Sequence, residues 1–145
     1  LIKKMKVGNP LYSLILNNRF VKNDDIGEIE STLYSNYHYM GEVTFSNLNG
    51  KVRGIDYTKK VNGKIYSHIH EIITLKNLGK IYIERNGNEV YEDNHNDDII
   101  ILKGDGKCIT PIESLKDIND SQLLWKATIN KSELNFIVEV TIYVE

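Results

Sequence analysis

The sequence predicts a mainly β protein: an antiparallel sandwich or barrel of about eight strands, with one or two short N-terminal helices. Ala127 is the only alanine, and the abundant Ile and Tyr favour strands. From about Gly41 onwards, turn-forming residues recur every ~8–12 residues, as they do in small all-β domains. The C-terminal segment alternates apolar and polar residues over 134–144, which predicts a long strand with one buried face.

The chain of 145 residues has the size of one domain. We expect a single domain over 1–145, in which a helical or irregular segment, 1–40, packs on a β domain, 41–145. The net charge of −2 gives no general attraction to nucleic acid. No apolar run reaches the ~18 residues of a membrane span. Cys108 is the only cysteine, so no internal disulfide is expected.

The N-terminal elements are predicted from start signals and spacing. Asn9-Pro10 suits a helix start, because proline is favoured at the first helical position. The apolar residues after it follow helical spacing, although 11–20 suits a strand equally. A second helix is predicted from Asp24, with apolar residues spaced for one helical face: Ile26, Ile29 and Leu33.

The strands that follow are separated by glycine-containing turns. Asn62-Gly63 is a preferred two-residue hairpin turn, and Leu78-Gly79 ends the strand that follows it. Asn86-Gly87 predicts a second hairpin by the same rule, and Gly104-Asp105-Gly106 predicts another turn. Asn130-Lys131-Ser132 predicts the last hairpin.

The remaining elements lie between these turns. The apolar run Ile99–Leu102 predicts a buried strand. Residues 112–120 are expected to form a loop or a short helical turn. The long C-terminal strand suits a barrel wall or an edge that pairs with another subunit.

Two histidines on one predicted strand are the strongest chemical signal. Residues i and i+2 of a strand point the same way, so His68 and His70 share a face. Imidazoles bind Zn, Fe, Mn or Ni, which makes a divalent metal the candidate cofactor. Ile65, Ile69 and Ile73 form the opposite, more apolar face, so the histidines are expected on the outer or rim side of the sheet.

Short motifs over residues 63–111 partly resemble the cupin family. They are the His68-x-His70 strand, Gly79, the Asn86-Gly87 hairpin, Lys103-Gly104-Asp105 and Ile109-Thr110-Pro111. The resemblance implies a small metal-binding or small-molecule-binding protein in which His68 and His70 are ligands. No histidine follows His95, so the later histidine of the second cupin motif has no counterpart.

Tyrosines provide a candidate binding surface, because aromatic side chains anchor protein interfaces and stack on sugars or bases. The candidates are Tyr34, Tyr37, Tyr39 and Tyr66. No complete catalytic constellation is present, so we expect a non-enzymatic structural or protein-interaction module whose partner is another protein or a second copy. The alternatives are the cupin-like metal or small-molecule binder and a carbohydrate-binding β-module.

The residue usage also bears on origin. Ile, Asn, Lys and Tyr have AT-rich codons, which indicates an AT-rich bacterial, phage or viral genome and an assembly in such an organism. The sequence begins at Leu1, which leaves room for an upstream signal or anchor. Localisation is therefore open, with a soluble domain expected.

Overall fold

The protein forms a closed antiparallel barrel. The computed structural model describes residues 10–92 and 96–143, and within them eight strands follow one another around the barrel in chain order. The strands are β1 (Pro10–Ile29), β2 (Thr32–Phe45), β3 (Leu48–Val61), β4 (Lys64–Leu75), β5 (Gly79–Val90), β6 (Ile99–Ile109), β7 (Gln122–Asn130) and β8 (Asn135–Tyr143). The predicted class and strand number are confirmed. No helix of the described part is long and apolar enough to cross a membrane.

The predicted N-terminal helices are wrong, because residues 10–29 and 32–45 are strands. In β1 the side chains of Leu14, Leu16 and Asn18 are buried, and those between them are exposed. Pairing with β8 on one side and β2 on the other satisfies the backbone of β1 up to Arg19. These tertiary hydrogen bonds outweigh the helical spacing of the apolar residues.

Two predicted turns lie inside strands. Asn86-Gly87 belongs to β5, and Gly104-Asp105-Gly106 belongs to β6. A Cβ on Gly87 would lie 2.4 Å from Cζ2 of Trp125, and one on Gly104 would lie 1.8 Å from the Asn86 carbonyl oxygen. These glycines therefore allow close packing in the wall rather than reversal of the chain.

The other turns fall where they were predicted. Asn62 and Gly63 join β3 to β4 with φ of 48° and 87°, the left-handed backbone that a tight hairpin requires. Residues 76–78 join β4 to β5, and 131–134 join β7 to β8. A short 3-10 helix, η1 (Glu113–Ile118), fills the predicted helical turn.

The resemblance to cupins does not extend to the topology. Cupins are double-sheet jelly rolls, whereas every neighbouring strand pair here is consecutive in the chain and β8 closes on β1. β8 pairs with β7 on its other side. Of the two roles predicted for the last strand, the barrel wall is therefore confirmed, and the edge that pairs with another subunit is wrong for Asn135–Tyr143.

The barrel interior changes from apolar to polar along its axis. The end that holds η1 is closed by buried Leu115 and Ile118. The middle holds the buried charged residues Glu71 and Arg85, and Ser35 and Ser67 are buried nearer the other end. An eight-stranded barrel is just wide enough for side chains to fill it.

Candidate functional site

The two histidines lie on the outer face of β4, as predicted. Ile69 and Ile73, which alternate with them, are buried in the core. The Nε2 atoms of His68 and His70 approach each other to 2.8 Å. The two imidazoles therefore contact each other on the outer surface of the barrel wall.

A carboxylate from β5 completes the cluster. Glu84 pairs directly across from His70, and its Oε1 lies 4.0 Å from Nε2 of His68. One ligand atom from each of the three residues lies within 4.8 Å of the others. We call His68, His70 and Glu84 the outer cluster.

Both imidazole rings are held by a hydrogen bond at the nitrogen that faces away from the cluster. Nδ1 of His68 lies 2.5 Å from Oδ1 of Asn86, and the Tyr82 hydroxyl lies 3.0 Å from Nδ1 of His70. An amide oxygen only accepts, so His68 donates from Nδ1 and keeps a lone pair on Nε2. Partners of this kind orient histidines at metal sites.

The four groups form one hydrogen-bonded chain. The Tyr82 hydroxyl donates to Nδ1 of His70, His70 donates from Nε2 to Nε2 of His68, and His68 donates to Asn86. The Nε2 atoms of His68 and His70 could both be offered to a metal ion, because the proton of His70 could be carried on Nδ1, where the Tyr82 oxygen could accept it.

Sequence reasoning missed Glu84, Tyr82 and Asn86, although a signal for them was present. The Leu78-Gly79 turn sets the register in which Leu75 faces Gly79. Counting outward from that pair places Glu84 opposite His70 and Asn86 opposite His68. The hairpin wrongly predicted at Asn86-Gly87 concealed this register.

The other side of the same wall carries a second polar cluster, inside the barrel. Arg85 donates from Nε and Nη2 to the two carboxylate oxygens of Glu71, at 2.9 and 3.0 Å. The Tyr39 hydroxyl donates to the same carboxylate, and the guanidinium carbon of Arg85 lies 4.5 Å from the Trp125 ring centre. We call Tyr39, Glu71, Arg85 and Asp56 the inner cluster.

Burial and nearby charges shift the pKa values of Tyr39, Asp56 and Arg85 in the inner cluster. Burial, together with the nearby Glu71 carboxylate, raises the pKa of Tyr39 well above its ordinary value. Burial opposes the charge of Arg85, but Glu71 and Tyr39 outweigh it and the pKa of Arg85 is raised. Burial raises the pKa of Asp56 to about 7, although the Arg85 charge and the hydrogen bond from Ser67 act against it.

The predicted tyrosine surface divides between the two faces. Tyr34 on β2 and Tyr66 on β4 are exposed on the outside of the barrel. Tyr57, on the intervening strand β3, is exposed on the same side. Tyr37 points inward and packs against Phe20, and Tyr39 is 3% exposed. Tyr39 is therefore a core residue, because strand alternation separates it from Tyr34.

The three exposed tyrosines line an outer groove of about 960 Å³. His68 and Asn86, which belong to the hydrogen-bonded chain of the outer face, also line this groove, together with Asn88. The outer cluster therefore borders a space large enough for a small ligand.

The comparisons with known proteins show the fold. No family model matches the chain, and no curated protein matches its sequence. A conserved protein of unknown function, RPA1785 from Rhodopseudomonas palustris, superposes with a TM-score of 0.75 at 15% identity, covering 90% of this chain and 94% of that one.

Two further structures agree. A protein with unknown function from Clostridium acetobutylicum ATCC 824 gives a TM-score of 0.70 at 21% identity, with 92% and 95% of the two chains covered. A beta-barrel like protein (ABAYE2633) from Acinetobacter baumannii AYE gives 0.73 at 13% identity, with 92% of each chain covered. Function has to be argued from the residues of this chain.

Proposed function

We propose that the protein binds a divalent metal ion at His68, His70 and Glu84, and that this ion is zinc. The observation that carries the proposal is the convergence of two Nε2 atoms whose opposite ring nitrogens are both held by a neighbour. An unspecialised pair of surface histidines has no need of this orientation. Two imidazoles and a carboxylate form a ligand set that zinc and iron use in proteins.

The geometry requires little adjustment. Two nitrogens at ~2.0–2.1 Å from a tetrahedral zinc lie about 3.3 Å apart, against 2.8 Å between the Nε2 atoms here. A rotation of either ring opens this distance. Oε1 of Glu84 lies 4.0 Å from Nε2 of His68, about 0.7 Å more than the separation of two ligand atoms in such a site, so a small rotation of the Glu84 side chain would complete the set.

Three protein ligands leave at least one position for water or a bound ligand. The side chains of His68 and Glu84 are 41% and 31% exposed, so this position faces solvent and the tyrosine-lined groove. Structural zinc sites are closed by four protein ligands, whereas open sites bind a further molecule. The site therefore suits ligand binding at the metal.

The test is metal binding by the purified protein. We expect one zinc per chain by elemental analysis after zinc-replete dialysis, with a Kd of about 1 μM or tighter by calorimetry. The His68→Ala/His70→Ala variant is expected to lose affinity by about 100-fold or more. His38→Ala removes another histidine of the outer face and is expected to bind zinc as the parent does.

Two results would contradict the proposal. One is the absence of stoichiometric zinc in the parent protein. The other is equal loss of zinc in the double variant and in His38→Ala, because binding would then not be specific to the cluster. Iron and zinc are separated by repeating the elemental analysis after anaerobic growth with each metal.

A protein-interaction role is the second candidate, supported by the outer end of the β1–β2 hairpin. β8 pairs with β1 only as far as Arg19, and Val21, Ile26 and Ile29 beyond it are each more than half exposed. An exposed edge with apolar side chains can pair with a second copy. Light scattering over a concentration series tests this role: we expect a dimer that Ile26→Lys dissociates, and a monomer throughout would rule out self-association.

A further inference from the structure

A second groove on the outer face carries an unusual concentration of positive charge. It is formed by β1 to β5 and has a volume of about 1190 Å³. Five basic residues line it: Arg19, Lys22, Lys51, Arg53 and Lys80. The chain as a whole has a net charge of −2, so this charge is gathered on one surface.

Carboxylates compensate part of this positive charge. Glu42 and Glu71 line the groove: Glu42 lies directly across from Lys51 in the β2–β3 register, and Glu71 is buried and paired with Arg85. Lys22 lies 3.5 Å from a carboxylate oxygen of Asp24. No described carboxylate forms an ion pair with the other basic residues of the groove. A concave surface lined by one sign of charge attracts ligands of the opposite sign.

The strand register arranges four of the basic side chains in two pairs, and the members of each pair are close enough to contact the same small ligand. Lys51 and Lys80 both face Thr74, one from each neighbouring strand. Arg19 and Arg53 face Met40 in the same way. Adjacent strands lie ~4.8 Å apart, so the members of each pair start about 10 Å apart and their long side chains converge on a group between them.

We propose that this groove binds a small molecule that carries phosphate groups. Arginine binds phosphate oxygens in pairs and lysine adds a compact charge. Tyr39 and Tyr82 are the tyrosines that line the groove, and Tyr39 is buried. One accessible tyrosine, with the imidazoles of His38 and His70, offers less stacking surface than the successive aromatic platforms of single-stranded nucleic-acid binders. The inference rests on the basic residues alone and does not require the metal.

The groove also reaches the outer cluster, because His70 and Tyr82 line it. A ligand anchored by Lys51, Arg53 and Lys80 therefore extends toward His70. The phosphate-binding groove and the outer cluster are nevertheless separate in chemistry, and separate variants test them.

The experiment is a calorimetric titration of metal-free protein with inorganic pyrophosphate at low salt. We expect a Kd below about 1 mM, binding that weakens as sodium chloride is added, and a loss of at least about tenfold in Lys51→Gln/Arg53→Gln/Lys80→Gln. Lys59→Gln/Lys60→Gln/Lys64→Gln makes the same charge change on the β3–β4 hairpin and is expected to bind as the parent does.

The same titration can overturn the proposal. The groove is excluded as the site if the parent protein gives no heat of binding. It is also excluded if the two triple variants lose the same amount of pyrophosphate affinity. Tight binding of a short single-stranded oligonucleotide without binding of pyrophosphate overturns the assignment to a small ligand. Zinc binding is measured separately on each variant, so failure of the metal proposal and failure of this one are distinguishable.

Discussion

The outer cluster and the Glu71–Arg85 pair of the inner cluster lie on opposite sides of the same two strands, β4 and β5. Glu71 and Arg85 point inward, and their sequence neighbours His70 and Glu84 point outward. Inside, two hydrogen bonds join the guanidinium to the carboxylate, and the side chains are 1% and 0% exposed. Outside, the ligand atoms converge but stay accessible to solvent.

This difference separates a stabilising role from a binding role. Arg85 and Glu71 are joined by two hydrogen bonds, and breaking a buried ion pair by removing one partner is costly. Among the described residues, Nη1 of Arg85 is buried without a hydrogen-bond partner. An exposed cluster contributes little to stability, since charges and polar groups near water gain little from pairing. The Glu71–Arg85 pair is therefore expected to stabilise the fold, and the outer cluster remains the candidate for binding.

Removing one partner of the inner pair should give the largest effect. Arg85→Met leaves Glu71 buried without its cation and is expected to lower the free energy of unfolding by about 3–5 kcal/mol. Glu71→Leu/Arg85→Met removes both charges and should cost less than Arg85→Met alone. Urea unfolding of the variants measures this.

The outer cluster supplies the control for that measurement. His68→Ala/His70→Ala is expected to change the free energy of unfolding of metal-free protein by about 0.5 kcal/mol or less. A loss as large as that of Arg85→Met would mean that the outer histidines are structural, and the comparison between the clusters would fail.

The next effect is the pH dependence from Asp56. Its pKa is raised to about 7 in the folded protein, from an ordinary value of 3.8. Between these values the folded state keeps a proton that the unfolded chain has lost. The free energy of unfolding therefore falls by a few kcal/mol as the pH rises from about 4 to about 7, and is level above that range.

Asp56→Asn should abolish this slope, because asparagine stays neutral and still accepts the hydrogen bond from Ser67. Asp105→Asn makes the same change at an exposed carboxyl group and should leave the slope in place. Urea unfolding between pH 4 and 8, roughly spanning the window, distinguishes the two. An unchanged slope in Asp56→Asn would assign the pH dependence to another group.

The regions where the sequence predicted the fold well are those with one local cause. Asn62-Gly63 forms its turn because both residues accept positive φ. The inward side chains of β8, from Phe136 to Ile142, are apolar at every second position and are buried. Strand alternation likewise placed His68 and His70 on the outer face correctly.

The errors arise where distant contacts decide. Gly87 and Gly104 resemble turn residues, but they serve packing against Trp125 and a neighbouring backbone, which are remote in the chain. β1 becomes a strand because β8 pairs with it as far as Arg19 and β2 pairs with it from Leu14 to Ile29, and the spacing of its own apolar residues shows neither partner. Glu84 joins the candidate site only through the β4–β5 register, so one misplaced hairpin was enough to hide it.

The smallest expected effect is on the zinc affinity of the outer cluster, and it tests what orients His70. Tyr82→Phe removes the hydroxyl that holds Nδ1 of His70 and keeps the ring, so we expect one zinc per chain with affinity weakened about tenfold. Tyr57→Phe is the matched control, because both tyrosine rings lie 5.8 Å from the His70 ring and only Tyr82 bonds to it. Calorimetry with zinc measures both variants. If neither variant weakens binding, packing of the rings, which phenylalanine keeps, is enough to orient His70; if only Tyr82→Phe weakens it, the hydrogen bond is what holds the imidazole ready for the metal.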